Sequence, residues 1–222
     1  MKTLSLKTKV AIIGLGNIGE AIAINLTKGD HPVVLAARDF EKAENLSNKL
    51  GNLASAKKIA EAIKDADVVI PAIYFDEIKN FLQTYSEELQ GKIIIDVSNP
   101  IAPDGNGGFK KIIDQNDSAG KILSELIPSN SKIVKAFGTL GAGSLLSAAF
   151  SEPSKKVLFY ASDNTNCNDK IDELIISSGF VPFHVGGIDQ SIRIEVFGDL
   201  HEFGELGQPV TLEEAKIKAV KS

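Results

Sequence analysis

The chain has 222 residues, which at the usual ~150 residues per domain makes one large domain or one domain with a small appendage. With 43% hydrophobic and 24% charged residues, it has the composition of a self-folding globular protein and no pull toward disorder. A formal charge of −5 offers no basic surface for a phosphate backbone, 6% aromatics without tryptophan disfavour base-stacking platforms, and one cysteine, Cys167, excludes an intramolecular disulfide.

The three histidines, at 31, 184 and 201, have no zinc-ligand spacing, so no metal site is expected. The first nine residues carry three lysines, but the apolar run that follows, 10–13, ends in glycine, which does not read as a secretory leader. Nowhere do eighteen apolar residues follow one another, so no membrane span is expected. The resulting expectation is a cytoplasmic protein with a small-molecule substrate and neither a nucleic-acid nor a membrane partner.

Short apolar runs alternate with amphipathic stretches along the chain, the pattern of βαβ units and a parallel sheet. Strands are predicted at 10–13, 33–37, 68–72, 93–97, 133–137, 157–160 and 180–185, nearly all apolar as expected where helices cover both faces. Between the first two lies a helix over 18–26, with Ile18, Ala21, Ile22 and Leu26 on one face and Lys28-Gly29-Asp30 as its stop. A second helix is predicted over 40–50, capped by Asp39 and ended by Gly51. The segment 98–108 holds two prolines, two asparagines and three glycines and reads as a loop. A helix over 168–178 and two further strands follow 151–154. The fold class is therefore α/β, a Rossmann-type doubly wound and mostly parallel sheet. Residues 1–150 are read as the nucleotide-binding domain, and 151–222 as a small C-terminal extension completing the sheet and the substrate pocket.

The segment Gly14-Leu15-Gly16-Asn17-Ile18-Gly19 sits between the first strand and the first helix, the context that gives this pattern meaning. Gly14 allows the tight turn, Gly16 lets a pyrophosphate approach the backbone, and Gly19 lets helix and strand pack closely. The helix start then points its free N–H groups at the phosphates. At the end of the second strand an NAD reader usually carries an acid, whereas here Ala37 is followed by Arg38, whose guanidinium suits a 2′-phosphate. Lys42, one turn into the next helix, adds a second positive charge. These residues favour NADP over NAD; the alternatives are that Arg38 is a surface arginine paired with Asp39 or Glu41, and that Asp39 is a displaced acceptor for the ribose hydroxyls.

The stretches GLGNIGEAIAINL, VVLAARDFEKAENL, IIIDVSNPI, KIVKAFGTLGA and GGIDQSIRIEVFGDL together resemble the NADP oxidoreductases that use the deazaflavin coenzyme F-420, over about 9–200. The same shape recurs in the cytoplasmic domains of mammalian ferric reductases and, over the N-terminal half, in pyrroline-5-carboxylate reductases. The resemblance implies NADP as cofactor and a deazaflavin or flavin as second substrate. It implies cofactor contacts from Ala72, Ile73 and Tyr74 after strand four, with Tyr74 at the aromatic position. It implies the same of the loop Ser98, Asn99 and Pro100, and of Phe137 and Gly138 after Lys135 and Ala136. Two departures stand out: Ala37 lacks the hydroxyl that the family places before the arginine, and Gly138 replaces an asparagine. Arg193 and Glu195 match a C-terminal signature and read as a structural ion pair.

Hydride transfer between two such rings asks the protein for placement more than for acid-base help. Thr139 is the candidate catalytic residue, holding the nicotinamide amide; the alternative is that it caps the next turn. His31 reads as a loop residue, His184 as a sheet residue, His201 as part of a charged tail, and Cys167 as exposed. Should a proton donor be needed, His184 and Tyr74 are the candidates. The rival readings are a non-enzymatic NADP(H)-binding sensor and a pyrroline-5-carboxylate-reductase-like imine reductase. The latter is disfavoured because 86 residues remain after Ala136, too few for a helical dimerisation domain. A homodimer through the C-terminal segment is the default on general frequency.

Overall fold

A computed structural model describes residues 7–220; residues 1–6, and with them most of the stretch weighed as a leader, lie outside it. The first strand, β1 (Val10–Ile13), is followed by α1 (Asn17–Lys28), β2 (Val33–Ala36), α2 (Phe40–Leu50) and the short edge strand β3 (Ala54–Ala56). The chain then crosses back through α3 (Ile59–Asp65) to β4 (Val68–Pro71), and continues through α4 (Phe75–Thr84) to β5 (Ile93–Asp96). A hairpin of β6 (Ile101–Pro103) and β7 (Phe109–Lys111) leads through α5 (Ala119–Ser124) to β8 (Lys132–Lys135). The remainder is α6 (Ala142–Ser147), β9 (Val157–Tyr160), α7 (Asn168–Ser177), β10 (Val181–His184), α8 (Ser191–Ile194) and α9 (Leu212–Ala219).

Six strands form one parallel sheet in the order β3-β2-β1-β4-β5-β8. The order reverses between β1 and β4, and in such sheets a ligand lies in the crevice beyond the carboxyl ends of the strands at that reversal. Strand alternation sets the two cores. Val10 and Ile12 point into one with Ile22 and Leu26 of α1, Leu46 of α2 and Leu174 of α7. Ala11 and Ile13 point into the other with Ile63 of α3, Phe81 of α4 and Leu123 of α5. Burial on both faces is why the strands read as unbroken apolar runs. No helix among the described residues is long and apolar enough to cross a membrane.

The helix boundaries follow local chemistry. Asp39 caps α2 by accepting from the Glu41 N–H at 3.1 Å, and Gly51 ends it at φ 78°, as the sequence predicts. The segment 98–108 is not loop throughout: Ile101–Pro103 pairs antiparallel with Phe109–Lys111. Its three glycines and Asn106 mark the hairpin tip, where the Asp104 carboxylate accepts from Asn106 and Gly108 N–H at 2.7 and 2.9 Å. The strand β3 is absent from the sequence reading because Ala-Ser-Ala carries none of the branched or aromatic residues that mark strands.

The C-terminal strands differ from expectation as well. β9 and β10 pair in parallel with each other as a separate two-stranded sheet. They meet the main sheet through one antiparallel bridge, Lys135 with Ala161, closed by two backbone hydrogen bonds of 2.9 Å. Because β9 meets β8 antiparallel, the parallel sheet does not continue into it. Phe159, Ile194, Leu200, Leu206 and Val210 give this region an apolar core of its own.

Candidate active site

The glycine turn lies at the carboxyl end of β1, against the turn after β4. Gly14 has φ 94°, and a Cβ there would stand 2.6 Å from the Ala72 carbonyl oxygen and 2.7 Å from Ile73 Cγ2. A Cβ on Gly19 would overlap the Gly14 carbonyl oxygen, so α1 can approach the turn only with glycine there. Gly16 is the opposite case: nothing lies within 4 Å of where its Cβ would be. It is also the N-cap of α1 and offers no capping side chain. The first N–H groups of the helix therefore have neither an intrahelical acceptor nor a capping side chain, the condition for an anion site. Leu15 is buried beneath the turn, while Asn17 is exposed and Ile18 half-buried at its mouth. Ala72 and Ile73 thus wall the turn, and Tyr74, 85% exposed, stands at its rim.

At the end of β2, Ala37 is half-buried and Arg38 and Lys42 are exposed. The Arg38 side chain is 89% exposed, and its Nη1 lies 3.8 Å from Glu77 Oε2. The carboxylate facing it thus comes from α4, and not from Asp39 or Glu41.

The second wall forms where β5 and β8 end. The Ser98 N–H and hydroxyl both donate to Asp96 Oδ1, at 2.9 and 2.7 Å, which turns Ser98 inward. Asn99 Nδ2 donates to the Gly138 carbonyl at 3.0 Å, and its Oδ1 accepts from Val196 N–H at 2.7 Å. Pro100 is buried beside it. Phe137 is a buried aromatic at φ 61°, a backbone state that costs a bulky residue of order 1–3 kcal/mol and recurs at functional sites. Gly138 follows it, and a Cβ there would stand 2.7 Å from the Val97 carbonyl oxygen. This explains the departure from asparagine: the β5 backbone occupies the space a side chain would need. Thr139 is buried and its hydroxyl has no hydrogen-bond partner, so it does not cap the following turn. A buried hydroxyl without a partner is costly and marks a position that a polar ligand group can complete.

Two groups that hold this wall are not legible as such in the sequence. The first is His201, which is 1% exposed and not part of a solvated tail. Its Nε2–H donates to the Gly138 carbonyl at 2.9 Å, and its Nδ1 accepts from the Phe203 N–H at 3.0 Å, which fixes the neutral tautomer. Glu202 beside it accepts from the Gly141 N–H at 2.7 Å and from the Ser144 hydroxyl, closing the segment onto α6. The available signal was the glycine pair 198 and 204: each packs on backbone, Gly198 on Arg193 and Gly204 on Gly198, which marks a folded turn.

The second is Lys135, also 1% exposed, with Nζ 2.7 Å from Asp96 Oδ2 and 3.5 Å from Glu195 Oε1 and bonded to the Ser98 carbonyl. Burial alone would depress its ammonium, but the two carboxylates outweigh burial and hold its pKa above the ordinary lysine value. Glu195 also accepts from the Ala119 and Gly120 N–H groups at 2.8 and 2.9 Å. The expected Arg193–Glu195 pair is thus replaced by two others, because Arg193 binds Asp199 at 2.8 Å while Glu195 turns inward to Lys135.

The remaining candidates lie elsewhere. His184 is on β10, stacked on Tyr160 with centroids 4.9 Å apart, and its Nε2–H donates to the Ser162 carbonyl at 3.1 Å. His31 is buried, with Nε2 bonded to the Thr8 carbonyl at 2.8 Å. Cys167 is buried, contrary to expectation, because the turn before α7 directs its thiol inward to donate to the Asn164 carbonyl at 2.8 Å.

Burial pushes the His201 pKa down to about 4, against the weaker opposing effect of the Gly138 hydrogen bond; burial lowers His31 likewise. Between pH 6.5 and 4 the unfolded chain binds protons at His201 that the folded chain does not, so stability is full above pH 6.5 and falls as pH drops toward 4. The loss from His201 reaches about 3 kcal/mol. Urea unfolding across this window should show that slope in the native protein. His201→Gln, which keeps an N–H for the Gly138 carbonyl, should flatten it to the share left by His31; an unchanged slope would contradict the assignment.

Residues 9–100 match the family model described as NADP oxidoreductase coenzyme F420-dependent. The F420-dependent NADP reductase of Methanothermobacter marburgensis is 26% identical over 198 residues, covering 84% of this chain and 88% of that protein. Metalloreductase STEAP3 of Rattus norvegicus is also 26% identical, over 187 residues, and the chain spans 36% of its length. A crystal structure of a hypothetical protein from Sinorhizobium meliloti superposes with a TM-score of 0.81 at 30% identity, covering 92% of this chain and 95% of that one. With the glycine turn and the Ser98–Pro100 wall inside the residues that match the family model, the chain belongs to the coenzyme F420-dependent NADP oxidoreductase family, NADP-dependent oxidoreductases on a Rossmann-type fold.

Proposed function

We propose that this chain transfers a hydride between NADP(H) and a ring acceptor of the deazaflavin or flavin class, in the crevice between the glycine turn and the Ser98–Pro100 and Phe137–Thr139 walls. The observation that carries the reading is the buried, unpartnered Thr139 hydroxyl beyond the end of β8, at the same carboxyl edge of the parallel sheet as the glycine turn after β1. The free N–H groups of α1 take the pyrophosphate, with Gly16 leaving room for it. Arg38 and Lys42 take the 2′-phosphate. Thr139 Oγ1 holds the nicotinamide carboxamide and fixes which ring face meets the acceptor. Pro100 and Phe137 close the crevice against water.

When bound, the nicotinamide supplies the hydride chemistry itself; the residues around it must hold the two rings in contact, at about 3–3.5 Å between reacting carbons. No residue of the wall has to move a proton. His201 has both ring nitrogens in hydrogen bonds and is neutral near pH 7, so it serves to hold Gly138 and not as an acid.

The test is turnover. The protein is mixed with NADPH and, in turn, coenzyme F420, FMN, a ferric chelate and a quinone, and the nicotinamide absorbance is followed. Loss of absorbance with the ring acceptors is the expected result. No loss with any acceptor would overturn the reading in favour of a binding protein that senses NADP(H).

A further inference from the structure

We propose that Glu77 is a specificity-determining residue for the cofactor: its carboxylate competes with the 2′-phosphate of NADP(H) for Arg38 and narrows the discrimination between NADP(H) and NAD(H). The proposal rests on the placement of the 2′-phosphate at Arg38 given above.

Glu77 lies in the first turn of α4, the helix that begins directly after the Ala72–Tyr74 turn packed on Gly14. That path brings an acid from the β4 side of the crevice to the guanidinium at the end of β2. At 3.8 Å, with side chains 89% and 54% exposed, the two are within ion-pair range but beyond hydrogen-bond range. Such a contact does not lock an arginine into one geometry. The same protein shows what locking looks like: Arg193 donates from both Nε and Nη2 to Asp199 at 2.8–3.2 Å, with the side chains 15% and 29% exposed. Glu77 therefore leaves Arg38 mobile while placing a negative charge where the phosphate has to arrive.

The local charges make this matter. A 2′-phosphate brings close to two negative charges near neutral pH. Arg38 and Lys42 are the cations of this stretch and Asp39 and Glu41 its acids, and the fold adds Glu77 beside Arg38. Asp39 is turned to the start of α2, where it accepts from the Glu41 N–H. Ala37 contributes no hydroxyl, so the phosphate depends on charge, and the carboxylate beside Arg38 weighs on it directly. NADH presents a neutral hydroxyl at the same point and does not require Arg38 to leave Glu77. The carboxylate thus penalises one cofactor and spares the other. An acid in a first helical turn is favoured by the helix dipole in any case, and Asp76, the next acid of the same turn, shares that explanation without facing Arg38.

The experiment is calorimetric titration of the full chain with NADPH and with NADH at low ionic strength, for the native protein, Glu77→Gln, Asp76→Asn and Arg38→Ala. Glu77→Gln is expected to tighten NADPH about three- to tenfold, leave NADH within about twofold, and lose this advantage as salt is raised; Asp76→Asn should change neither by more than about twofold. If Arg38→Ala collapses the NADPH preference while Glu77→Gln leaves it unchanged or weakens NADPH, the proposal is overturned and the site at Arg38 stands. If Arg38→Ala leaves the preference intact, the placement of the phosphate fails and the proposal falls with it.

Discussion

Replacing Lys135 with methionine is expected to lower the unfolding free energy by about 3 kcal/mol, near the low end of the 3–5 kcal/mol seen when a buried ion pair loses one partner. The side chain is buried against Asp96 and Glu195, so its removal leaves two carboxylates without their cation. The low end applies because both keep other donors: Ser98 for Asp96, and the Ala119 and Gly120 N–H groups for Glu195. Urea unfolding of both proteins measures this, and a deficit below about 1 kcal/mol at neutral pH would show that the triad is not paired as described. Because Lys135 ties the end of β5 to the C-terminal segment, the Ser98–Pro100 wall should loosen in the same variant.

The second large effect is at the glycine turn, where two adjacent substitutions separate packing from binding. Gly19→Ala places a methyl group on the Gly14 carbonyl oxygen and must push α1 away from the turn, at a cost of about 1–3 kcal/mol. It should also weaken NADPH at least about tenfold, because the helix N–H groups move with the helix. Gly16→Ala meets open space and should stay within about 1 kcal/mol of native stability. It should nevertheless weaken NADPH comparably, because the methyl stands where the pyrophosphate comes close to the backbone. Thermal unfolding together with NADPH titration reads both quantities. A Gly16→Ala protein that binds NADPH normally would remove the pyrophosphate from this turn.

How far the sequence reveals these features depends on whether they are local. The parallel sheet, α1, α2 with its Asp39 cap, and the tight turn at Gly14 and close helix packing at Gly19 follow from periodicity and from turn chemistry within a few residues of each other. The β6–β7 hairpin was hidden because two prolines and three glycines within 98–108 dominate a pattern reading, although most of them only shape its tip. What could not be read at all are contacts across long separations. Lys135 meets Asp96 and Glu195, and His201 meets Gly138. A lysine in a strand or a histidine before a glutamate looks like surface until the fold brings its partners together. The same holds for Arg38, whose sequence neighbours Asp39 and Glu41 are not its partner, while Glu77 is the carboxylate that faces it.

We propose that NADP(H) binds at the carboxyl edge of the sheet with its 2′-phosphate on Arg38. Thermal unfolding of the native protein and of Arg38→Glu, each alone, with NADPH and with NADH, tests it most directly. The account predicts a larger stabilisation by NADPH than by NADH in the native protein, and a difference abolished or reversed in Arg38→Glu. Equal stabilisation by the two cofactors, unchanged by the substitution, would contradict it.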